Sequence, residues 1–178
     1  MLLSHEKEPA NVWKNTYICN RLTKLHAMKK ILTTLVFLCA SVFALRSQDL
    51  NASADNILGE YSVLHDGQES RVLVYMEQGR TYGARVVWLK NSTDKDGNKR
   101  LDRKNPDKSL KSVPLDQVVI LTGMKYDAAA KKWSGGKVYD PARGIRANAV
   151  CLFGSDGKLH LTGSLFGISE TVVWEKLK

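Results

Sequence analysis

The chain is 178 residues long and carries 27 Lys and Arg against 18 Asp and Glu, a formal charge of +9. That length allows one ordinary domain with a sizeable core. The basic residues are dispersed among acidic ones, with no arginine-rich run and no stacked aromatics, so the composition argues against a nucleic-acid binder.

In chain order, residues 1–27 hold Trp13, Tyr17 and Cys19 without a clear period or cap pattern. They read as a non-native upstream extension from a start codon placed too early, or as an unusually long charged leader. From Met28 the sequence runs MKKILTTLVFLCASVFA: two lysines, an apolar run, then small residues, the order of a secretory signal peptide. The expected signal is 28–44 with cleavage after Ala44; a cut near Ser47 and Gln48 is the alternative. The apolar run at 31–43 is short for a membrane span. Leu38 stands before Cys39 where lipoprotein processing wants a small side chain, so no anchor and no stable span after signal removal are expected. Six of the 27 basic and two of the 18 acidic residues lie in 1–44, which leaves 21 and 16, a net +5, with Cys151 as the lone thiol. An exported domain with one cysteine must be held by its core. The expected location is the periplasm or the medium.

A polar linker is expected at 45–56 and the folded domain at 57–178. Short β-rich runs at 57–64, 71–76, 82–89, 118–122, 132–139, 145–153, 158–163 and 171–176 are separated by turn chemistry such as His65-Asp66-Gly67, Gln78-Gly79 and Ser155-Asp156-Gly157. Ile145-Arg146-Ala147-Asn148-Ala149 and Leu159-His160-Leu161-Thr162 alternate, as half-buried strands do, and no helical period of useful length competes. Short connections make sequence neighbours pair antiparallel, and closure removes exposed edges. The expected fold is all-β, a single up-and-down barrel of about eight strands; a two-sheet sandwich is the alternative.

The insertion NSTDKDGNKRLDRKNPDKSLKSVP, residues 91–114, is nearly devoid of apolar side chains and is expected to be a surface excursion or a lid over one barrel end. Asp94, Asp96, Asn98 and Asp102 have the alternation of a calcium loop. Gly97 is early for an EF-hand loop, Asn105 stands where a bidentate glutamate belongs, and Lys95, Lys99 and Arg100 supply the wrong charge, so no metal site is expected. Asn51-Ala52-Ser53 and Asn91-Ser92-Thr93 have acceptor spacing for glycosylation but carry little meaning in a bacterial-looking export context. His65 and His160 sit with no nucleophile at a telling spacing, and Cys151 alternates with Ala149 and Phe153 on an inner face. No catalytic residue is expected, and no cofactor.

WSGGKVYDPARG, residues 133–144, concentrates three glycines, a proline and two basic residues. Gly135-Gly136-Lys137 feeds a strand rather than a helix, which is wrong for a phosphate loop. It reads instead as a bulge or close backbone approach, followed by a tight turn at Asp140-Pro141-Ala142-Arg143-Gly144. The aromatics mostly read as core, with some free to line a pocket in the barrel mouth. Arg85, between Ala84 and Val86, is either a solvent-facing side chain or, pointing inward, the one polar anchor of a ligand.

YGARVVWLK at 82–90, DRKNPD at 102–107 with Val113-Pro114-Leu115, and the 133–144 stretch resemble, in order and spacing, the bacterial domain of unknown function 2147 family. Gly163, Phe166-Gly167, Glu170-Thr171 and Trp174 fit its closing strands, so the resemblance covers roughly 58–177. It implies a small exported protein with a compact lipocalin-like barrel and no established activity, and it offers no catalytic residues to carry over. The chain departs from the family pattern at Gly59-Glu60-Tyr61, where tryptophan is usual, and after Gly144, where Ile145-Arg146-Ala147-Asn148 replaces a lysine and a Thr/Tyr-type strand.

Two functions remain open at this level. One is a binding module holding a small, at least partly apolar molecule, with Arg85, Trp88, Trp133 and Tyr139 as the side chains expected to meet it. The other is a solid-core envelope module that binds a protein or glycan through its loops. Oligomeric state is not legible.

Overall fold

The computed structural model describes residues 49–177, and the expected signal peptide with its Ala44 cleavage position lies outside the described residues. Eight strands follow in order: β1 (Gly59–His65), β2 (Gln68–Met76), β3 (Tyr82–Leu89), β4 (Val119–Asp127), β5 (Lys132–Asp140), β6 (Ile145–Phe153), β7 (Leu159–Leu165) and β8 (Ile168–Lys176). Each pairs antiparallel with the next, and β8 returns to β1 through Ser62↔Glu175 and Val63↔Trp174 to close the barrel. The alternative sandwich is thereby excluded. β3 and β6 coincide with the expected runs, while β4 is longer than expected because Met124 and Tyr126 continue its alternation beyond Gly123.

Period-two alternation puts Tyr61, Val72, Val74, Tyr82, Ala84, Leu121, Met124, Trp133, Ala149, Cys151, Phe153, Leu159, Leu161 and Trp174 into one buried cluster. Full burial of each aliphatic member stabilises by about 1.5–3 kcal/mol. The Gly135-Gly136 pair is a bulge: the β5–β6 register shifts between Trp133 and Gly136, and Gly135 has φ +79°. A Cβ on Gly136 would meet the sulfur of Met124 at 2.5 Å, so the glycine admits β4 at this close approach.

One end of the barrel is plugged. The residues expected to form a linker fold, from Asp49 onward, into two 3₁₀ turns at Leu50–Ala52 and Ala54–Ile57 that cap this end. The Asn51 side chain pairs with both backbone polar groups of Phe153 (Nδ2 to O 2.8 Å, N to Oδ1 2.7 Å). Tyr126, Trp133 and Tyr61 donate to the carbonyls of Asn51, Ala54 and Ile57. Polar handles on large aromatics thus satisfy backbone groups that a short irregular segment would otherwise leave unpaired.

The other end is framed by the β1–β2 and β7–β8 hairpins, the 141–144 turn and the long insertion. Arg85 pairs with Val119 at the start of β4, so residues 86–89 of β3 run past the end of β4. The insertion crosses this gap as a strap, stitched by Thr93↔Lys99 and Leu101↔Pro114 bridges and by the Leu115 amide donating to Arg100 O at 2.8 Å. Among the described residues, no helix is long and apolar enough to cross a membrane.

Candidate functional site

At the strapped end the interior is hollow. A cavity of about 610 Å³ is walled by Val63, Val72, Val86, Ile120, Val138, Leu161 and Val172, with Trp174 among its lining side chains and Arg100, Leu101, Arg103 and Lys104 supplied by the strap. A smaller cavity of about 280 Å³ shares Val138, Leu161 and Val172 with it and extends toward Ala147, Leu165, Phe166 and Ile168. The volume is in the range of small-molecule sites, and an aliphatic well beneath a charged rim suits an amphipathic guest.

The strap is locked by a buried polar unit. Asp102 is 1% exposed and Asn105 2%. Asp102 Oδ1 accepts from Tyr139 OH at 2.7 Å, Oδ2 accepts from Asn105 Nδ2 at 2.6 Å, and the Asp102 amide donates to Val113 O at 2.9 Å. Burial and the adjoining Asp102 carboxylate push the Tyr139 hydroxyl well above its ordinary pKa, so it stays a donor. Lys104 Nζ donates to Ala142 O at 2.6 Å, and Gly144 makes room for the strap: a Cβ there would meet Lys104 O at 2.5 Å. The polar insertion expected as an excursion or lid is therefore fastened to the β5–β6 turn.

Beside the strap's anchor on the β5–β6 turn, the rim carries an ion-pair cluster. Arg143 reaches Asp66 at 3.0 Å, Asp140 at 3.1 Å and Glu170 at 2.9 Å, and His65 Nε2 lies 3.7 Å from Asp66 and 3.8 Å from Glu170. His65, Asp66 and Glu170 have the spacing of a metal set, with ligand atoms within 4.8 Å of one another. The Arg143 guanidinium already supplies positive charge to both carboxylates. In the insertion, Asp94 Oδ1 accepts from the amides of Asp96 and Asn98, which is turn chemistry.

The four side chains expected to meet a ligand are dispersed. Arg85 faces solvent because β3 turns Ala84 and Val86 inward, so it is no interior anchor. Trp88 is also outside, 44% exposed with the Arg71 guanidinium 5.6 Å from its ring centroid: it shares parity with the inward Val86, but the β2–β3 register shifts between Arg71 and Val72, and the extra residue Val87 turns Trp88 outward. Trp133 is fully buried in the plug, packed against Tyr126 and Phe153. Tyr139 does border the cavity, but its hydroxyl is committed to Asp102 and its ring lies 5.0 Å from the Arg146 guanidinium. Cys151 lies in the core, its thiol pushed by burial up to about 12. The wall-forming valines were not singled out from sequence, and the signal for them was inner-face parity combined with side-chain size.

Residues 59–176 match the family described as uncharacterized protein conserved in bacteria (DUF2147). Among solved structures, the chain is similar to protein HP1028 from the human pathogen Helicobacter pylori, described as belonging to the lipocalin family. The two are 25% identical with a TM-score of 0.55, over 68% of this chain and 83% of that one. No curated protein matches the chain.

Proposed function

This chain belongs to the DUF2147 family of uncharacterised proteins conserved in bacteria, and we propose that it is an exported binding module whose half-hollow barrel holds a small, at least partly apolar molecule in the cell envelope. One observation carries the reading: the aliphatic well of about 610 Å³ at the strapped end, in a barrel whose other end is filled by aromatic side chains. Eight-stranded barrels have an interior of the right width to hold one such molecule. The similarity to the H. pylori protein described as a lipocalin supports it further, and export rests on the leader pattern at 28–44.

Native mass spectrometry of the protein purified from its own cells should show an added mass of a few hundred daltons that is lost on denaturation. Val138→Trp, which fills the space shared by the two cavities, should lose that mass and also the uptake of the uncharged fluorophore N-phenyl-1-naphthylamine. A protein that carries no added mass and takes up no fluorophore sinks the reading. A second reading, action through an exposed surface, is favoured by Phe166 and Ile168 at the β7–β8 tip, 95% and 76% exposed; large apolar side chains so exposed often mark contact sites. Under that reading, replacing both by serine removes a co-purifying partner and leaves fluorophore uptake intact.

A further inference from the structure

Resting on the ligand-carrier reading, we propose that the guest is a single-chain amphiphile with an anionic head, a carboxylate or a phosphate monoester, held by the cations of the strap with its chain in the aliphatic well. The mouth carries two groups of charges, and they differ in what they already hold. On the strap side, Arg100, Arg103 and Lys104 line the cavity. Arg100 Nη1 donates to Asn91 O at 3.0 Å and Lys104 Nζ to Ala142 O at 2.6 Å, both uncharged acceptors. Among the described residues none of the three has a carboxylate at ion-pair distance.

Around the β5–β6 turn the mouth's carboxylates are engaged. Asp66, Asp140 and Glu170 all converge on Arg143 within 3.1 Å. With three carboxylates on one guanidinium, that cluster repels an anion and leaves the strap cations as the place where a negative head finds donors. The buried Asp102 carboxylate offsets one strap cation, yet three cations against one carboxylate keep this wall net positive. Asp102 also gives the cations fixed positions: pinned to Tyr139 and Asn105, it sits in the chain directly before Arg103 and Lys104. Charge-assisted hydrogen bonds from guanidinium to carboxylate or phosphate are roughly twice as strong as neutral ones, and arginine's fork matches both heads. Beneath the rim, Val63, Val72, Val86 and Val172 offer nothing polar to a chain, so the site sorts its guest by head at the rim and by apolar length below.

The test is displacement of N-phenyl-1-naphthylamine from the purified protein by four twelve-carbon amphiphiles: dodecanoate, dodecyl phosphate, dodecanol and dodecyltrimethylammonium. The expected result is that one or both anions displace the probe at least tenfold more tightly than dodecanol, about 1.4 kcal/mol, with the cation weakest. The ratio between dodecanoate and dodecyl phosphate identifies the head. The preference for anions should shrink as salt rises. Arg103→Glu, at a side chain that holds no carboxylate, should erase most of it, read as the ratio of anion to dodecanol displacement within the same variant. Equal displacement by dodecanol and the anions overturns the proposal but leaves the carrier reading standing, as does a preference that survives both Arg103→Glu and Arg100→Glu. No probe binding at all overturns both.

Discussion

Tyr139→Phe isolates the lock that holds the strap. The substitution keeps the ring and its packing, and removes only the hydroxyl that donates to Asp102 Oδ1 at 2.7 Å. Asp102 is 1% exposed, so water cannot take the lost donor's place without opening the strap. A hydrogen bond to a charged group contributes roughly 1.5–3 kcal/mol net, and orphaning a buried charged acceptor costs at least the upper part of the 1–3 kcal/mol typical of a neutral one. The expected loss is therefore about 2–3 kcal/mol in urea unfolding followed by tryptophan fluorescence, with an unchanged m-value. For a domain of this size that corresponds to a Tm lower by roughly 5–12 °C.

Replacing both partners by apolar groups, Tyr139→Phe with Asp102→Leu, removes the orphan along with the bond. That double variant should recover part of the loss, and a double-mutant cycle should show coupling of about 1 kcal/mol or more. If the strap opens on its own before the barrel unfolds, the effect appears instead as faster exchange of the Asp102 amide, which donates to Val113 O. A loss below about 0.5 kcal/mol with that amide equally protected would refute the claim that Tyr139 fastens the strap.

Two further predictions follow from other parts of the chain. Gly144→Ala places a Cβ 2.5 Å from Lys104 O at φ +73° and should cost about 3 kcal/mol or more, whereas Gly157→Ala at φ +72°, with nothing within 4 Å, should cost only the left-handed penalty of about 1–2 kcal/mol; equal losses in unfolding experiments would show that the turn does not bear on the strap. Burial raises Cys151 from 9.0 to about 12 and Tyr82 from 10.0 to about 12, and raises Tyr61 and Tyr139 as well. Groups whose protonated form is favoured by folding contribute stability below their unfolded pKa and lose it as pH climbs through the folded one. The urea midpoint should therefore fall between about pH 9 and 12, and Cys151 in the native protein should resist iodoacetamide at pH 9 until urea is added. A midpoint flat to pH 11, or ready alkylation, contradicts that packing.

The strands were legible because turn residues and alternation act locally: Ile145-Arg146-Ala147-Asn148-Ala149 announces its inner face without reference to any partner. The 49–56 segment was not, since its polar look matches a linker, and only the carbonyls it offers to Tyr61, Tyr126 and Trp133 reveal it as a plug. Arg85, Trp88, Trp133 and Tyr139 were singled out by chemical character, and character does not say which face or which end a residue occupies. The family blocks at 102–107 and 133–144 were legible only as a signature. In the fold they meet, with Asp102 on Tyr139 and Lys104 against Gly144, so their co-occurrence reports a physical junction.

What separates a hollow end from a filled one is side-chain size read with strand direction. Along the inner face, Tyr61 gives way to Val63 on β1, Trp133 to Val138 on β5, Phe153 to Ala149 and Ala147 on β6, and Trp174 to Val172 on β8. Consecutive strands run in opposite senses, so large-to-small on β1 and β5 and small-to-large on β6 and β8 point to the same end of the barrel. Each strand alone shows only a mixture of sizes; with their senses alternated, the sequence places an aromatic layer at the end that the 3₁₀ turns cap and an aliphatic well beneath the strap. If this gradient, rather than the strap, creates the cavity, loosening the strap through Tyr139→Phe should leave the well able to take up an uncharged probe, while a bulky residue on its wall should not. The strap's part would then be to place charge over a space that the strands have already left open.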